Sequence, residues 1–210
     1  PTKDEIDNIE IMINRVRKAC PDFDLIIFDE HSTDGTLDVA KKLNVPVVQR
    51  VGSGYGAGLK EAIAYTADNG YDVFAILDCD QTYPSEDLPK LVSEVGEYDF
   101  VVGTRDLNTL YPVSHRLPNK FHTALANVLF GADLKDINSG MWAINPAKFK
   151  GQLSADGFDF TEQINTRALK NKYKIKQMPI EYGRRIGHSK IAIVDGFVDT
   201  WRIIIERFMP

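Results

Sequence analysis

The sequence predicts an α/β fold, a mostly parallel sheet flanked by helices. Three observations carry this. Short continuous apolar runs at 25–28, 45–48 and 73–77 have the composition of strands buried on both faces. Segments with helical spacing separate them, as right-handed crossovers between parallel strands require. Acids, glycines and cations fall directly after the apolar runs, at the strand ends where open sheets bind ligands.

The elements follow in order. Ile6, Ile9, Met12, Ile13 and Val16 recur at helical spacing, and Pro21 lies beyond the helix they predict. A strand at 25–28, a helix at 36–43 and a strand at 45–48 come next. After a glycine-rich turn, a helix at 59–67 is closed by Gly70. Then come a strand at 73–77, a helix at 85–97, a strand at 100–102 and a helix at 121–130. The second half is less regular, with strands at 141–144 and 175–180 around a helix at 160–170.

At 210 residues, one domain with a full core is expected. With 43% apolar and 26% charged residues the chain is an ordinary globular sequence, and its net charge of -5 argues against nucleic-acid partners. Cys20 and Cys79 have no metal-ligand spacing and read as packing residues in a reducing compartment. No apolar run approaches the roughly 20 residues that span a bilayer, and no signal peptide is present. The chain opens at Pro1 on what reads as the exit from a strand, as expected of a trimmed fragment.

Asp78-Cys79-Asp80 is the focal stretch. Side chains on a regular strand alternate faces, so two acids one residue apart converge only where the backbone leaves strand geometry. Two carboxylates at a strand end suit Mg²⁺ or Mn²⁺ shared with substrate phosphates. Asp29 and Glu30 follow an earlier strand and are expected to face a ligand, with Asp34 and Thr36 as turn and cap residues. Arg50-Val51-Gly52-Ser53-Gly54-Tyr55-Gly56 opens a helix with backbone amides that would approach a phosphate. Arg105 ends another strand and Arg116 follows it. Asp136-Ile137-Asn138-Ser139-Gly140 precedes a strand, and Arg184, Arg185 and Lys190 gather cations in an acidic chain. His31, His115, His122 and His188 show no ligand spacing and read as surface or hydrogen-bonded residues.

In this order the blocks resemble the family 2 inverting glycosyltransferases of GT-A fold, with its Rossmann-like sheet, and among them the dolichyl-phosphate mannosyl- and glucosyltransferases. Pro1 to Glu5 with Asn8, Asp29 to Thr36, Asp78 to Pro84, Gly103-Thr104-Arg105, Asp136 to Gly140 and Arg184 to Lys190 are similar to the family's successive motifs. Asp4, Glu30, Ser53 and Thr82 depart from the family pattern, which leaves the donor base open.

The resemblance implies a nucleotide diphosphate-sugar, GDP-mannose or UDP-glucose/UDP-GlcNAc, against Pro1, Lys3, Glu5, Asp29, Glu30, Arg50, Gly52, Gly54 and Cys79. Asp78 and Asp80 would hold the Mg²⁺ or Mn²⁺. A dolichyl or other polyprenyl phosphate acceptor would meet Arg105, Arg116, Ser139, Arg184, Ser189 and Lys190. Asp78, Asp80, Arg105, Asp136 and Arg184 are the expected catalytic groups, and Asp136 and Glu162 would orient the donor or the arginines. A phosphate monoester near pH 7 is largely a dianion and needs no base to attack, whereas a sugar hydroxyl would. A saccharide or other hydroxyl acceptor, and a nucleotide-sugar-binding module without catalysis, are the competing expectations.

A lipid acceptor demands a membrane surface, and the expected location is the cytoplasmic face. Residues 1–190 are expected to form the catalytic domain and 191–210 an amphipathic helix. On that helix Val194, Phe197, Val198, Trp201, Ile204, Ile205 and Phe208 form an apolar stripe, with Asp195, Asp199, Arg202 and Glu206 off it. The stripe is expected first to pack on the domain and, alternatively, to lie in a membrane interface.

Overall fold

The structure, a computed structural model, describes residues 1–110, 113–183 and 193–209. Its elements in order are α1 (Ile6–Ala19), β1 (Ile27–Asp29), α2 (Thr36–Lys42), β2 (Val47–Gln49), α3 (Tyr55–Asp68), β3 (Phe74–Ile76), α4 (Leu88–Ser93), β4 (Phe100–Thr104), α5 (Arg116–Phe130), β5 (Trp142–Ile144), α6 (Pro146–Phe149), α7 (Phe160–Lys170), β6 (Ile175–Pro179) and α8 (Ile193–Phe208). The α/β class is as expected. α5 begins earlier than its apolar pattern, at Arg116, because Pro118 in the first helical turn removes only an amide that has no partner there.

The pairing adds antiparallel neighbours to the expected parallel ones. β1 and β2 pair in parallel, and a second sheet runs β3-β5-β4-β6. β5 is antiparallel to both β3 and β4, whereas β6 is parallel to β4. In this register Trp142, at the start of β5, lies opposite Ile76 and Val102. An antiparallel strand begins where its neighbours end, so residues 136–141 reach the carboxyl ends of β3 and β4. The same end receives the chain leaving β6 after Pro179. The core beneath is aromatic and branched: Phe100, Trp142, Ile144, Phe149, Phe160 and Ile164 are fully buried in one cluster with Leu59 and Ile63 of α3. α1 buries Ile9 and Ile13 against Ile27 and Val45, as its spacing predicts.

α8 overturns an expectation. Its buried face carries Asp199, Ile203 and Glu206, while Phe197, Trp201 and Phe208 are 73%, 63% and 78% exposed. The apolar stripe points away from the domain. The reason lies on α7, which buries Glu162, Gln163, Asn165 and Thr166. Gln163 Nε2 donates to Glu206 Oε1 (2.6 Å), Arg167 pairs with Glu206 (2.8 Å), and Arg202 with Asp159 (2.7 Å). Buried polar groups need partners, so the polar side of α8 faces inward. Ile203 joins Ala126 of α5 in a small apolar cluster beside this network.

Candidate active site

β3 stops at Ile76, and the chain leaves extended geometry before Thr82, with Gln81 at φ 65. That left-handed residue folds the loop so that Asp80 Oδ1 accepts from both the amide (3.1 Å) and the hydroxyl (2.5 Å) of Thr82. Asp78 Oδ1 accepts from the Tyr55 hydroxyl (3.0 Å) at the start of α3. Gln81 Nε2 donates to Asn8 Oδ1 (2.8 Å) on α1, and Gly183 N donates to the Thr82 carbonyl (2.8 Å). The loop is thus pinned by elements far apart in sequence.

Gly140 completes it. Its amide donates to the Tyr83 hydroxyl (2.7 Å), and a Cβ built there would lie 2.6 Å from Asp78 Oδ2. The Gly140→Ala variant is therefore expected to fold yet to lose about tenfold to a hundredfold in turnover, because Asp78 must shift. Comparing kcat with Tm checks this; full turnover in a stable variant would show that Asp78 has room.

Cys79 packs against the cluster of α1 and β1. Burial first, and then the Glu5 carboxylate, push its thiol up to about 12, so it is an inert packing group. Pro1 lies in the electrostatic neighbourhood of Cys79, Asp78, Arg50 and Glu5, which places the chain's opening beside the carboxylate loop.

Asp29 and Glu30 part company. Asp29 is fully buried and accepts from Thr2 Oγ1 (3.0 Å), the Ser32 amide (2.9 Å), Ser32 Oγ (2.5 Å) and Gln49 Nε2 (3.2 Å). Burial would raise its pKa, but these donors outweigh burial and hold it below the usual range. The expectation of a ligand-facing Asp29 is corrected: this carboxylate organises the turn. Glu30 stays partly open and takes Lys3 Nζ (2.8 Å), Ser53 Oγ (3.2 Å), the Gly54 amide (3.3 Å) and the guanidinium of Arg50. Arg50 is itself buried, lying against the backbone of Gly58, so it positions Glu30 from behind. Asp34 Oδ2 accepts from the Ile6 amide (2.9 Å) and Oδ1 from the Thr36 amide (2.9 Å), so Asp34 ties the starts of α1 and α2 together, while Gly35 rather than Thr36 holds the cap position of α2.

The glycine-rich turn serves packing. The amides of Val51 and Gly52 donate to the Glu61 carboxylate (3.1 and 2.7 Å), and that of Gly54 to Glu30. At the start of α3, the amides of Gly56 and Ala57 donate to the carbonyls of Gly157 and Asp156 (3.1 and 3.2 Å). A Cβ on Gly54 or Gly56 would strike the 155–157 backbone at 2.4 or 2.6 Å. The phosphate cradle expected of Gly52 and Gly54 is thus already filled by protein acceptors.

Arg105 follows β4 and meets Asp136 at the strand end. Its Nε donates to Asp136 Oδ2 (2.6 Å), its Nη2 to Asp136 Oδ1 (2.9 Å) and to Asn119 Oδ1 (3.0 Å), and its amide to Asp136 Oδ2 (3.2 Å). The guanidinium also lies 5.2 Å from the centre of the Tyr182 ring, which stands edge-on to Tyr83. Burial opposes the charge, but the Asp136 carboxylate outweighs it and holds Arg105 fully protonated. Asp136 is almost fully buried, and its Oδ1 also takes the Asn138 amide (3.1 Å).

Ser139 is corrected as an acceptor ligand. It is fully buried, and its hydroxyl donates to the Gly103 carbonyl (2.5 Å). Arg116 heads α5 and uses Nε on the Leu110 carbonyl (2.8 Å). Arg184, Ser189 and Lys190 lie outside the described residues. Tyr55, Tyr83, Tyr182 and Asn119 escaped the sequence reading. Each acts on a partner remote in sequence, so no local pattern marks it.

An open α/β sheet with an Asp-x-Asp loop at its carboxyl end, flanked by a clamped arginine, defines the GT-A class. The fold has a solved counterpart in glucosyl-3-phosphoglycerate synthase from Mycobacterium tuberculosis, in complex with Mn²⁺, UDP and glucosyl-3-phosphoglycerate: TM-score 0.78 and 18% identity over 100% of this chain and 78% of that one. The chain belongs to glycosyl transferase family 2, whose model matches residues 1–151. It is similar to the undecaprenyl-phosphate mannosyltransferase of Micrococcus luteus, 26% identical over 91% of this chain and 85% of the relative. It is also similar to the low-salt glycan biosynthesis hexosyltransferase Agl6 of Haloferax volcanii, 30% identical over 100% of this chain, which spans 51% of that protein. The chain is accordingly a glycosyltransferase, of the kind that includes the dolichyl-phosphate branch.

Proposed function

We propose that this chain moves a hexose from a nucleotide diphosphate-sugar, GDP-mannose or UDP-glucose/UDP-GlcNAc, to dolichyl or another polyprenyl phosphate, with inversion. The observation that carries the reading is the state of Asp136. Both of its oxygens are taken by Arg105, so the carboxylate best placed to act as a base is already committed. An acceptor that arrives as a phosphate dianion needs no base, whereas a hydroxyl acceptor does. The name of the Micrococcus luteus relative supports the same acceptor class.

Asp78 and Asp80 offer only hard carboxylate oxygens, and the bare Gly140 lets the Asp78 carboxylate take its place at the strand end, so the pair fits Mg²⁺ or Mn²⁺. When bound, such an ion neutralises the donor diphosphate and stabilises the departing nucleoside diphosphate. Tyr55 fixes Asp78, and Thr82 fixes Asp80. Lys3, Glu5 and Glu30 bound the donor's nucleoside end, with Arg50 behind them. Arg105, rigidly held by Asp136, supplies positive charge on the acceptor side. Arg184, Ser189 and Lys190 are proposed to join it, because the chain enters their stretch at Gly183, beside Thr82.

A membrane surface supplies the acceptor. The outward stripe of α8 and, on the adjoining α5, exposed Leu117, Phe121 and Val128 suit the cytoplasmic face of a bilayer. Among the described residues no helix is long and apolar enough to cross it. Converting Phe197 and Trp201 to Ser is expected to cut binding to phosphatidylglycerol-containing vesicles by about tenfold or more, as burying either ring contributes roughly 1.5–3 kcal/mol. Co-sedimentation measures it, and unchanged partition would remove the membrane from the proposal.

The reaction itself is tested with Mn²⁺, a panel of nucleotide-sugars and a short polyprenyl phosphate. The expected products are a glycosyl-phosphoprenol and a nucleoside diphosphate. Transfer only to saccharide hydroxyls, or donor binding without product, overturns the reading.

A further inference from the structure

Away from the carboxylate loop, α5, α7 and α8 bury a second set of titratable groups: His122, Glu162 and Asp199, at 4%, 0% and 7% exposure. One ligand atom from each lies within 4.8 Å of the others. His122 Nε2 is 3.2 Å from the Gly196 carbonyl and 3.1 Å from Thr200 Oγ1, and the Thr200 hydroxyl donates its own hydrogen to Gly196 (2.8 Å). Both neighbours of Nε2 are thus acceptors. This assigns the proton to Nε2 and leaves Nδ1 as a bare lone pair, 3.9 Å from Glu162 Oε1. Glu162 accepts from Asn138 Nδ2 and, at 3.4 Å, from Thr161 Oγ1. Among the described residues, Asp199 Oδ1 is buried without a hydrogen-bond partner.

Three electron-pair donors therefore converge in a buried cluster, and one of them has no partner among the described residues. Burying such a set with its carboxylates ionised is unfavourable unless a cation sits among them. The donor types narrow the cation. One imidazole with two carboxylates suits a first-row metal such as Zn²⁺ better than Mg²⁺. An imidazole whose far N–H is held by a backbone carbonyl is the usual arrangement of a metal-bound histidine. We propose that His122 Nδ1, Glu162 and Asp199 form a buried Zn²⁺ site that clasps α8 to α5 and α7. Zinc keeps the inner face of α8 seated, and the helix thereby holds its apolar stripe outward. The site is separate from the Asp78–Asp80 pair and does not depend on which substrates the enzyme uses.

The test uses metal-stripped protein carrying Asp78→Asn and Asp80→Asn, so that the carboxylate loop contributes nothing. Equilibrium dialysis with Zn²⁺ is expected to give one bound ion per chain, accompanied by a rise in Tm. Adding Asp199→Asn or, separately, His122→Gln is expected to weaken zinc binding by about a hundredfold or more and to abolish the Tm rise. Co²⁺ is expected to give a visible absorption band that His122→Gln removes. Failure to retain zinc, or equal retention by both added variants, overturns the site. So does an Asp199→Asn protein that is more stable than its parent in zinc as well as without it, since the cluster would then be neutralised by protons alone.

Discussion

Replacing Asp78 with Asn is expected to lower kcat/KM for transfer by about a thousandfold, with little change in Tm. The magnitude follows from the several kcal/mol by which a bound divalent ion stabilises a leaving diphosphate, each 1.36 kcal/mol being tenfold in rate. Asp78 is the sharper test of the two acids, because Asp80 Oδ1 also shapes the loop through Thr82 and its loss would disturb the backbone. Tyr55→Phe removes only the hydrogen bond that aims Asp78, so a loss of roughly tenfold is expected. Steady-state kinetics across a Mn²⁺ titration separate the two effects. An Asp78→Asn enzyme with native kcat/KM would end the metal assignment.

Asp136→Ala carries the largest expected effect on stability. It leaves the Arg105 guanidinium buried with its main partner gone, retaining Asn119 and the Tyr182 ring. Breaking a buried charge pair from one side costs about 3–5 kcal/mol, which lowers Tm by on the order of 10 °C in a chain of this size. Asp136→Asn should cost less, and it discriminates between mechanisms. A carboxylate that only positions Arg105 leaves residual transfer when amidated, with most of the loss traced to stability and acceptor KM. A general base would instead show near-complete loss of kcat in a protein of unchanged Tm. Calorimetry beside single-turnover rates reads both outcomes.

Much of the candidate site was legible because strands end abruptly and the residues that follow them carry charge. The Asp78–Asp80 pair, Arg105 and Asp136 were all recognisable from this rule, and the structure brings them to one end of the sheet. What the rule missed is the choice between facing a ligand and serving the protein. Asp29, Ser139 and the glycines at 52 and 54 sit in the expected places, yet their polar groups are satisfied internally by Ser32, Gly103, Glu61 and Glu30. Satisfaction of a donor or acceptor depends on partners that only folding supplies. The direction of β5 has the same character. Asp136 to Gly140 precede their strand, and they reach the site only because that strand runs antiparallel.

The sequence by itself determined the alternation of strands and helices, the family motifs and the amphipathic character of the last helix, because each rests on spacing within a few turns or residues. The tertiary structure decided which face of α8 turns inward. An apolar stripe is ordinarily the buried one, and nothing local says otherwise. Here the polar residues of α7 and the imidazole of α5 demand polar partners, Glu206, Arg202 and Thr200 provide them, and the hydrophobic face is left outside. Long-range pairing of buried polar groups outweighed the hydrophobic pattern, since an unmet buried charge costs more than an exposed ring.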